Sequence, residues 1–93
     1  MKDKLEEYIS NIEVVCQSSS SFLAMVRQGK VEDILKILAE KTKVKLGIGK
    51  ALIKYEAREA SLTFVAPNKL IVRMRDSSTL SDVKRFLEDL LGV

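Results

Sequence analysis

The chain has 93 residues, of which 46% are hydrophobic and 31% charged, and its formal net charge is +3. This length suits one hydrophobic core, and the high apolar content with small net charge excludes a disordered chain. We therefore expect a single globular domain over residues 1–93. The chain has no histidine and one cysteine, Cys16, so it lacks the commonest general base and cannot form an internal disulfide. The composition disfavours most enzyme classes.

The sequence also bears on the localisation of the protein. No apolar run reaches the roughly 18 residues that span a bilayer, and the first seven residues are too polar for a signal peptide. A cytoplasmic protein is the expectation. Frequent lysine and glutamate, together with the absence of tryptophan and histidine, resemble the composition of thermophile proteins.

The first quarter of the chain contains a predicted helix and a region with two interpretations. A helix is predicted from Lys2 to about Asn11, because four apolar residues recur at helical spacing. They are Leu5, Tyr8, Ile9 and Ile12. Residues 11–17 favour a strand over a continuation of that helix, since β-branched residues alternate there. After a connection of four serines, residues 22–27 fit either a second strand of a hairpin or a short helix ended by Gly29.

The middle of the chain predicts a helix followed by a strand. Residues 30–42 carry an apolar stripe with acidic residues in the first turn and Lys41 near the end, as in an amphipathic helix. Beyond it Val44, Leu46 and Ile48 alternate with polar or small residues, which indicates a half-buried strand. Gly47 and Gly49 suggest a bend or bulge after that run.

Residues 50–75 predict a three-strand meander with runs at 50–56, 61–66 and 69–75, the last two joined by a Pro67-Asn68 turn. A closing helix is predicted after Thr79, which stands three residues before Asp82 as in a capping box, and Gly92 ends it. The predicted class is α+β, in which amphipathic helices cover an antiparallel sheet built from the meander at 50–75 and N-terminal strands.

Two short features invite a chemical interpretation that their details disfavour. Residues 47–50, Gly-Ile-Gly-Lys, resemble a phosphate-binding loop, but the spacing of the glycines departs from that motif and Ala51 stands where it needs Ser or Thr. The chain has no histidine that could deprotonate the Cys16 thiol, so we expect Cys16 to serve as a small apolar residue in a half-buried segment. The carboxylates are explained by caps and turns, so no metal site, cofactor or catalytic residue is predicted.

Charge is distributed unevenly along the chain. Residues 43–75 contain eight basic and two acidic residues, a net charge of +6, which leaves −3 for the remainder. Alternation predicts that most of these cations share the outer face of the sheet. The predicted basic face comprises Lys43, Lys45, Lys54, Lys69, Arg73 and Arg75. It would suit an acidic protein surface or nucleic acid, or serve only as a solvated face. Tyr55 and Phe64 are expected in the core, which removes the stacking rings that single-strand binders use.

Self-association is the other interaction that the sequence suggests. An edge strand with apolar alternation is a template for pairing, and a small domain gains stability from dimerisation. The predicted dimer contacts are Val31, Ile34, Leu35, Leu38, Val44, Leu46 and Ile48.

From about Ile34 to Leu91 the chain resembles the Roadblock family of dynein light-chain and GTPase-regulator domains. The resemblance rests on the helix beginning at Ile34, the segment 45–50, the meander 51–75 and the closing helix 79–91. It is one of topology and apolar pattern, and the serine run departs from the glycine-containing turn usual in the family's first hairpin. It implies a homodimer that regulates or scaffolds a small GTPase or a motor.

Together these features predict a non-enzymatic interaction, scaffold or regulatory module that forms a homo-oligomer and does not bind membranes. The alternative is a nucleic-acid-binding domain that uses the basic face of the sheet.

Overall fold

The computed structural model describes residues 4–16, 18, 20–49, 51–76 and 79–92. It contains a six-stranded antiparallel sheet and two α-helices, which confirms the predicted α+β class. The elements are β1 (Ile9–Cys16), β2 (Ser21–Val26), α1 (Val31–Lys41), β3 (Lys43–Ile48), β4 (Leu52–Glu56), β5 (Ala60–Val65), β6 (Lys69–Met74) and α2 (Leu80–Leu91). Two short 3-10 turns, Lys4–Glu7 and Gln28–Lys30, precede β1 and α1.

The strands lie in the order β1-β2-β6-β5-β4-β3. The N-terminal hairpin β1-β2 joins the meander β3-β4-β5-β6 through the pairing of β2 with β6. β1 and β3 are therefore the two edges of the sheet. The region 22–27, for which the sequence allowed strand or helix, is strand β2 over most of its length.

The core lies between one face of the sheet and the two helices. Buried and less buried residues alternate strictly in β2 and β5, as expected when only one face of a sheet is covered. Phe22, Leu62 and Val72 lie side by side in the ladder of β2, β5 and β6, and each is at most 1% exposed. The buried residues of α1 and α2 belong to the same cluster, so each helix places its apolar stripe on this face.

The opposite face of the sheet, here called the open face, is not covered by either helix. Its half-buried apolar residues do not belong to the core cluster or pack against it. They are Leu23, Met25, Leu52 and Val65, and Ile71 is exposed among them. An α+β domain with one helical layer thus leaves a whole sheet face to solvent.

The predicted N-terminal helix is wrong beyond its first turn. Lys4–Glu7 forms one 3-10 turn, and β1 already begins at Ile9. A register shift between Ile9 and Asn11 brings Ile9 opposite Val26 and Ile12 opposite Ala24. Both partners are buried, so Ile9 and Ile12 lie on the core side although they are three residues apart. The bulge produced a spacing that is typical of a helix.

Helix α2 begins with the predicted capping box. The Thr79 hydroxyl accepts a hydrogen bond from the Asp82 backbone N–H at 3.3 Å, and the Thr79 backbone N–H donates to Asp82 Oδ2 at 2.9 Å. The backbone bond and then the side-chain bond from Thr79 hold the pKa of Asp82 below its ordinary value. At the other end Gly92, with φ of 74°, forms a left-handed C-cap.

We expect Thr79→Ala to lower the free energy of unfolding by about 1 kcal/mol at neutral pH, because it removes an N-cap acceptor. The bonds that Thr79 donates to the Asp82 carboxylate favour its ionised form and so lower its pKa. Their contribution to stability is full above the ordinary aspartate pKa of about 3.9 and is lost as the pH falls through the lower folded value. Urea unfolding at several pH values measures both effects. Ser81→Ala, in the same turn, should change little, and an equal loss in both variants would contradict the capping role.

Candidate interaction surfaces

Strand β3 is an edge strand whose six residues are all exposed. Three of them are large and apolar: Val44 is 53% exposed, Leu46 49% and Ile48 59%. We call these three residues the β3 edge patch. The sequence predicted a half-buried strand here. In the structure β3 pairs with β4 on one side, and its other side has no partner among the described strands, so all six residues are exposed.

The side chains of the β3 edge patch point to both faces of the sheet. Val44 pairs with Tyr55, a core residue, so it lies on the helix side. A register shift between Val44 and Leu46 then places Leu46 opposite Lys54 and Ile48 opposite Leu52, on the open face. The bulge lies at Lys45, before the two glycines that suggested it. Gly49 instead forms the turn into β4, where its φ of 58° is one that glycine adopts without strain.

The helical part of the predicted dimer surface is not available on the folded monomer. Ile34 and Leu38 are 0% exposed and belong to the core cluster. Val31 and Leu35 are half-buried and pack against the same cluster. The prediction that Ile34 and Leu38 contact a partner is therefore wrong, because α1 has one apolar stripe and places it on its own sheet. The exposed members of the predicted set are the β3 edge patch.

The structure brings four of the six predicted basic residues to the open face. Lys54 alternates with the buried Tyr55, and Lys69 and Arg73 flank Ile71 on β6, so these cations point away from the core. Lys43 lies opposite Glu56 in the register of β3 and β4, also on the open face. None of Lys43, Lys54, Lys69 and Arg73 forms a hydrogen bond or ion pair with another described residue.

Lys45 and Arg75 are already paired. Both contact Glu56, Lys45 at 3.6 Å and Arg75 at 2.8 Å. The hydrogen bond from Arg75 and the charge of Lys45 hold the pKa of Glu56 below its ordinary value. These three side chains are partly exposed, so the cluster contributes little stability. It neutralises part of the positive charge at one end of the open face.

The open face carries no aromatic ring among the described residues. Phe22, Tyr55 and Phe64 are buried on the helix side, where the sequence placed the last two. Burial also raises the pKa of the Tyr55 hydroxyl. Sequence reasoning missed the apolar component of this face. Alternation within β2 and β6 could have shown it, since Leu23, Met25 and Ile71 stand between the core positions.

Cys16 and Gly47, from the two features that invited a chemical interpretation, lie on opposite edge strands of the sheet, β1 and β3. Cys16 is exposed rather than half-buried, with its Sγ 3.2 Å from Ser18 Oγ. Gly47 lies in β3 and Gly49 in a turn between strands, so they do not lead into a helix as a phosphate-binding loop does; Lys50 lies outside the described residues. No group of three or more acidic, cysteine or histidine residues is placed to hold a metal ion within the described ranges.

Comparison with protein-family models, curated proteins and solved structures finds no match to this chain. The resemblance to the Roadblock family therefore stays a prediction. Over the described residues, neither α-helix has the length and apolar character needed to span a membrane.

Proposed function

We propose that the protein is a non-enzymatic interaction module that self-associates by pairing β3 with the β3 strand of a second copy. The observation that carries the proposal is the β3 edge patch, a row of large apolar side chains that are about half exposed on a strand with one unpaired edge. Such an edge offers main-chain hydrogen bonds as well as apolar area to a partner strand.

The usual defences of an edge strand are weak along the second half of β3. Lysines and bulges normally protect an edge from pairing. The bulge lies at Lys45, and the Lys45 ammonium is drawn to Glu56 at 3.6 Å, across its own sheet. Residues 46–48 are regularly paired with β4 and carry no charge. This segment is therefore the part of β3 best suited to a second strand.

A twofold axis fixes the geometry of the proposed dimer. An isologous pair places the same segment of both copies in contact, which for adjacent edge strands means antiparallel pairing. Centred on Gly47, the pairing sets Leu46 of one copy opposite the partner's Ile48 on the open face. Both side chains already point to that face, so no rearrangement of the strand is needed.

The open face supports a protein partner better than nucleic acid. Its free cations suit an anionic surface, but single-stranded nucleic acid is held by stacking on aromatic rings as well as by charge. The described aromatic residues of the sheet are all buried on the other side. Apolar residues such as Leu23 and Ile71 stand among the cations instead, and these match the mixed composition of protein interfaces.

Equilibrium sedimentation tests the proposed dimer. We expect the wild type to show about twice the chain mass of 10.4 kDa. Ile48→Lys should sediment as a monomer, because lysine replaces the apolar contact with the partner's Leu46 and sets two like charges at diagonal positions beside the twofold axis. Val15→Lys is the matched control, since Val15 is 61% exposed on the other edge strand, and it should remain dimeric.

A wild type that sediments as a monomer at all concentrations would overturn the proposal. Dissociation by Val15→Lys with no effect of Ile48→Lys would also overturn it, because it would place the interface on β1.

A further inference from the structure

A polar cleft lies at the end of the sheet where β5 begins and β6 ends, next to the turn between β1 and β2. Its volume is about 500 Å³, within the usual range of small-molecule sites. The polar and charged residues that line it are Ser18, Ser20, Ser61, Arg73, Arg75 and Asp76. Arg73 and Ser61 thus border one site, which neither the proposed dimer nor the core uses.

Arg73 is the central residue of this cleft. On the open face it pairs with Ser21 of β2 on one side and with Ser61 of β5 on the other. Directly opposed side chains in such a ladder have Cβ atoms about 4.5–5.5 Å apart, so small hydroxyl residues flank the guanidinium on both sides. Arg73 forms no hydrogen bond or ion pair with another described residue, which leaves its donors available to a ligand.

The surroundings of Arg73 are held in place by backbone and side-chain hydrogen bonds. The Met74 backbone N–H donates to the Ser20 carbonyl at 3.0 Å, which ties the residue before β2 to the end of β6. Arg75 donates through Nη2 to Glu56 and to the Ala57 carbonyl, which holds its guanidinium beside the cleft. The cleft is therefore built on paired strands and needs little rearrangement to receive a ligand.

We propose that this cleft binds the phosphate group of a small phosphate monoester. The Arg73 guanidinium fork binds two oxygens of an anion, and the Ser61 hydroxyl beside it offers a separate donor for a third oxygen, which a phosphate has and a carboxylate lacks. Asp76 also lines the cleft, and Arg75 is already paired with Glu56 at 2.8 Å. Arg73 is therefore the lining cation without an ion pair to another described residue, which limits the site to one phosphate group rather than a polyphosphate. The cleft leaves room for the organic part of the ester beside the phosphate.

A titration of the full chain with glycerol phosphate, followed by amide and arginine Nε resonances in NMR spectra, tests this site. We expect saturable shifts at Ser61 and Arg73 with a Kd in the millimolar range, and none with glycerol. Binding should strengthen from about pH 5 to about pH 7, because the second phosphate pKa is about 6 while arginine stays protonated. Inorganic phosphate should bind at the same residues, which separates recognition of the phosphate from recognition of the ester.

Arg73→Ala should weaken binding at least tenfold, and Arg73→Lys several-fold, because lysine keeps the charge without the fork. Lys69→Ala is the matched control: Lys69 is an unpaired cation on the same strand and face but outside the cleft, so its loss should change Kd less than twofold. Ile48→Lys should leave binding unchanged, since β3 is separated from β5 by β4.

Three results would overturn the site. One is the absence of a saturable shift in the wild type at about 10 mM ligand, well above a millimolar Kd. Another is equal weakening by Arg73→Ala and Lys69→Ala together with a steep salt dependence, which would indicate a diffuse positive field over the open face. The third is saturable binding whose shifts lie away from Ser61 and Arg73.

Discussion

Val72→Lys is expected to unfold the protein, whereas Ile71→Lys, one residue earlier on β6, is expected to leave it folded. Val72 is 0% exposed and pairs with Phe22 and Leu62 beneath the helices, while Ile71 is 37% exposed on the open face. Burying an unpaired ammonium costs several kcal/mol, which is comparable with the whole stability of a small domain, about 5–15 kcal/mol. Ile71→Lys should change the free energy of unfolding by about 1 kcal/mol or less.

Circular dichroism with urea unfolding distinguishes the two variants. The pair is a stringent test of the sheet's orientation, because both substitutions introduce the same charge in the same strand. Equal tolerance of both would mean that the helices do not cover the face that carries Val72. Loss of folding in Ile71→Lys alone would place the core on the opposite face.

Much of the fold could be predicted because the apolar pattern of most elements has one period throughout. In β5 and β6 alternate residues face the core without interruption, so the pattern reports the buried face directly. Helix α2 carries its start and stop signals in Thr79, Asp82 and Gly92, whose cap geometry is local. Elements whose signals are local or strictly periodic are those that sequence reasoning places correctly.

The errors in β1 and β3 share a physical cause, the β-bulge. An extra residue in a strand reverses the side to which all following side chains point, and the apolar pattern does not mark where it occurs. In β1 one bulge brings Ile9 and Ile12 to the same side, and a second near Val15 turns Cys16 to the side of Ser21. The bulge in β3 separates Val44 from Leu46 in the same way.

The candidate sites were harder to predict than the fold because they depend on strand order. The sequence predicts that Arg73 lies on the outer face of the sheet, but it does not show that β6 stands between β2 and β5. Only that order surrounds Arg73 with serines from two other strands. The β3 edge patch depends on order too, since the same residues in a central strand would be paired on both sides.

Leu38→Ala and Leu46→Ala remove the same atoms from two residues that the apolar pattern assigned to one surface, and we expect opposite consequences. Leu38 is 0% exposed under α1, so its truncation should lower the free energy of unfolding by about 2–5 kcal/mol through lost burial and the cavity left behind. Leu46 is 49% exposed, so its truncation should cost the isolated chain less than about 1 kcal/mol.

The stability losses of Leu38→Ala and Leu46→Ala should also depend differently on protein concentration. Urea unfolding at two protein concentrations about tenfold apart would measure this difference. Self-association stabilises the folded state by mass action, so the wild-type midpoint should rise with concentration. Leu38→Ala should lower the midpoint at both concentrations and keep that rise, because the β3 edge remains intact. Leu46→Ala should diminish the rise, because the β3 edge loses apolar area that only a partner strand would cover. If Leu38→Ala instead abolished the concentration dependence at little cost to stability, α1 would be the interface and its place in the core would be wrong.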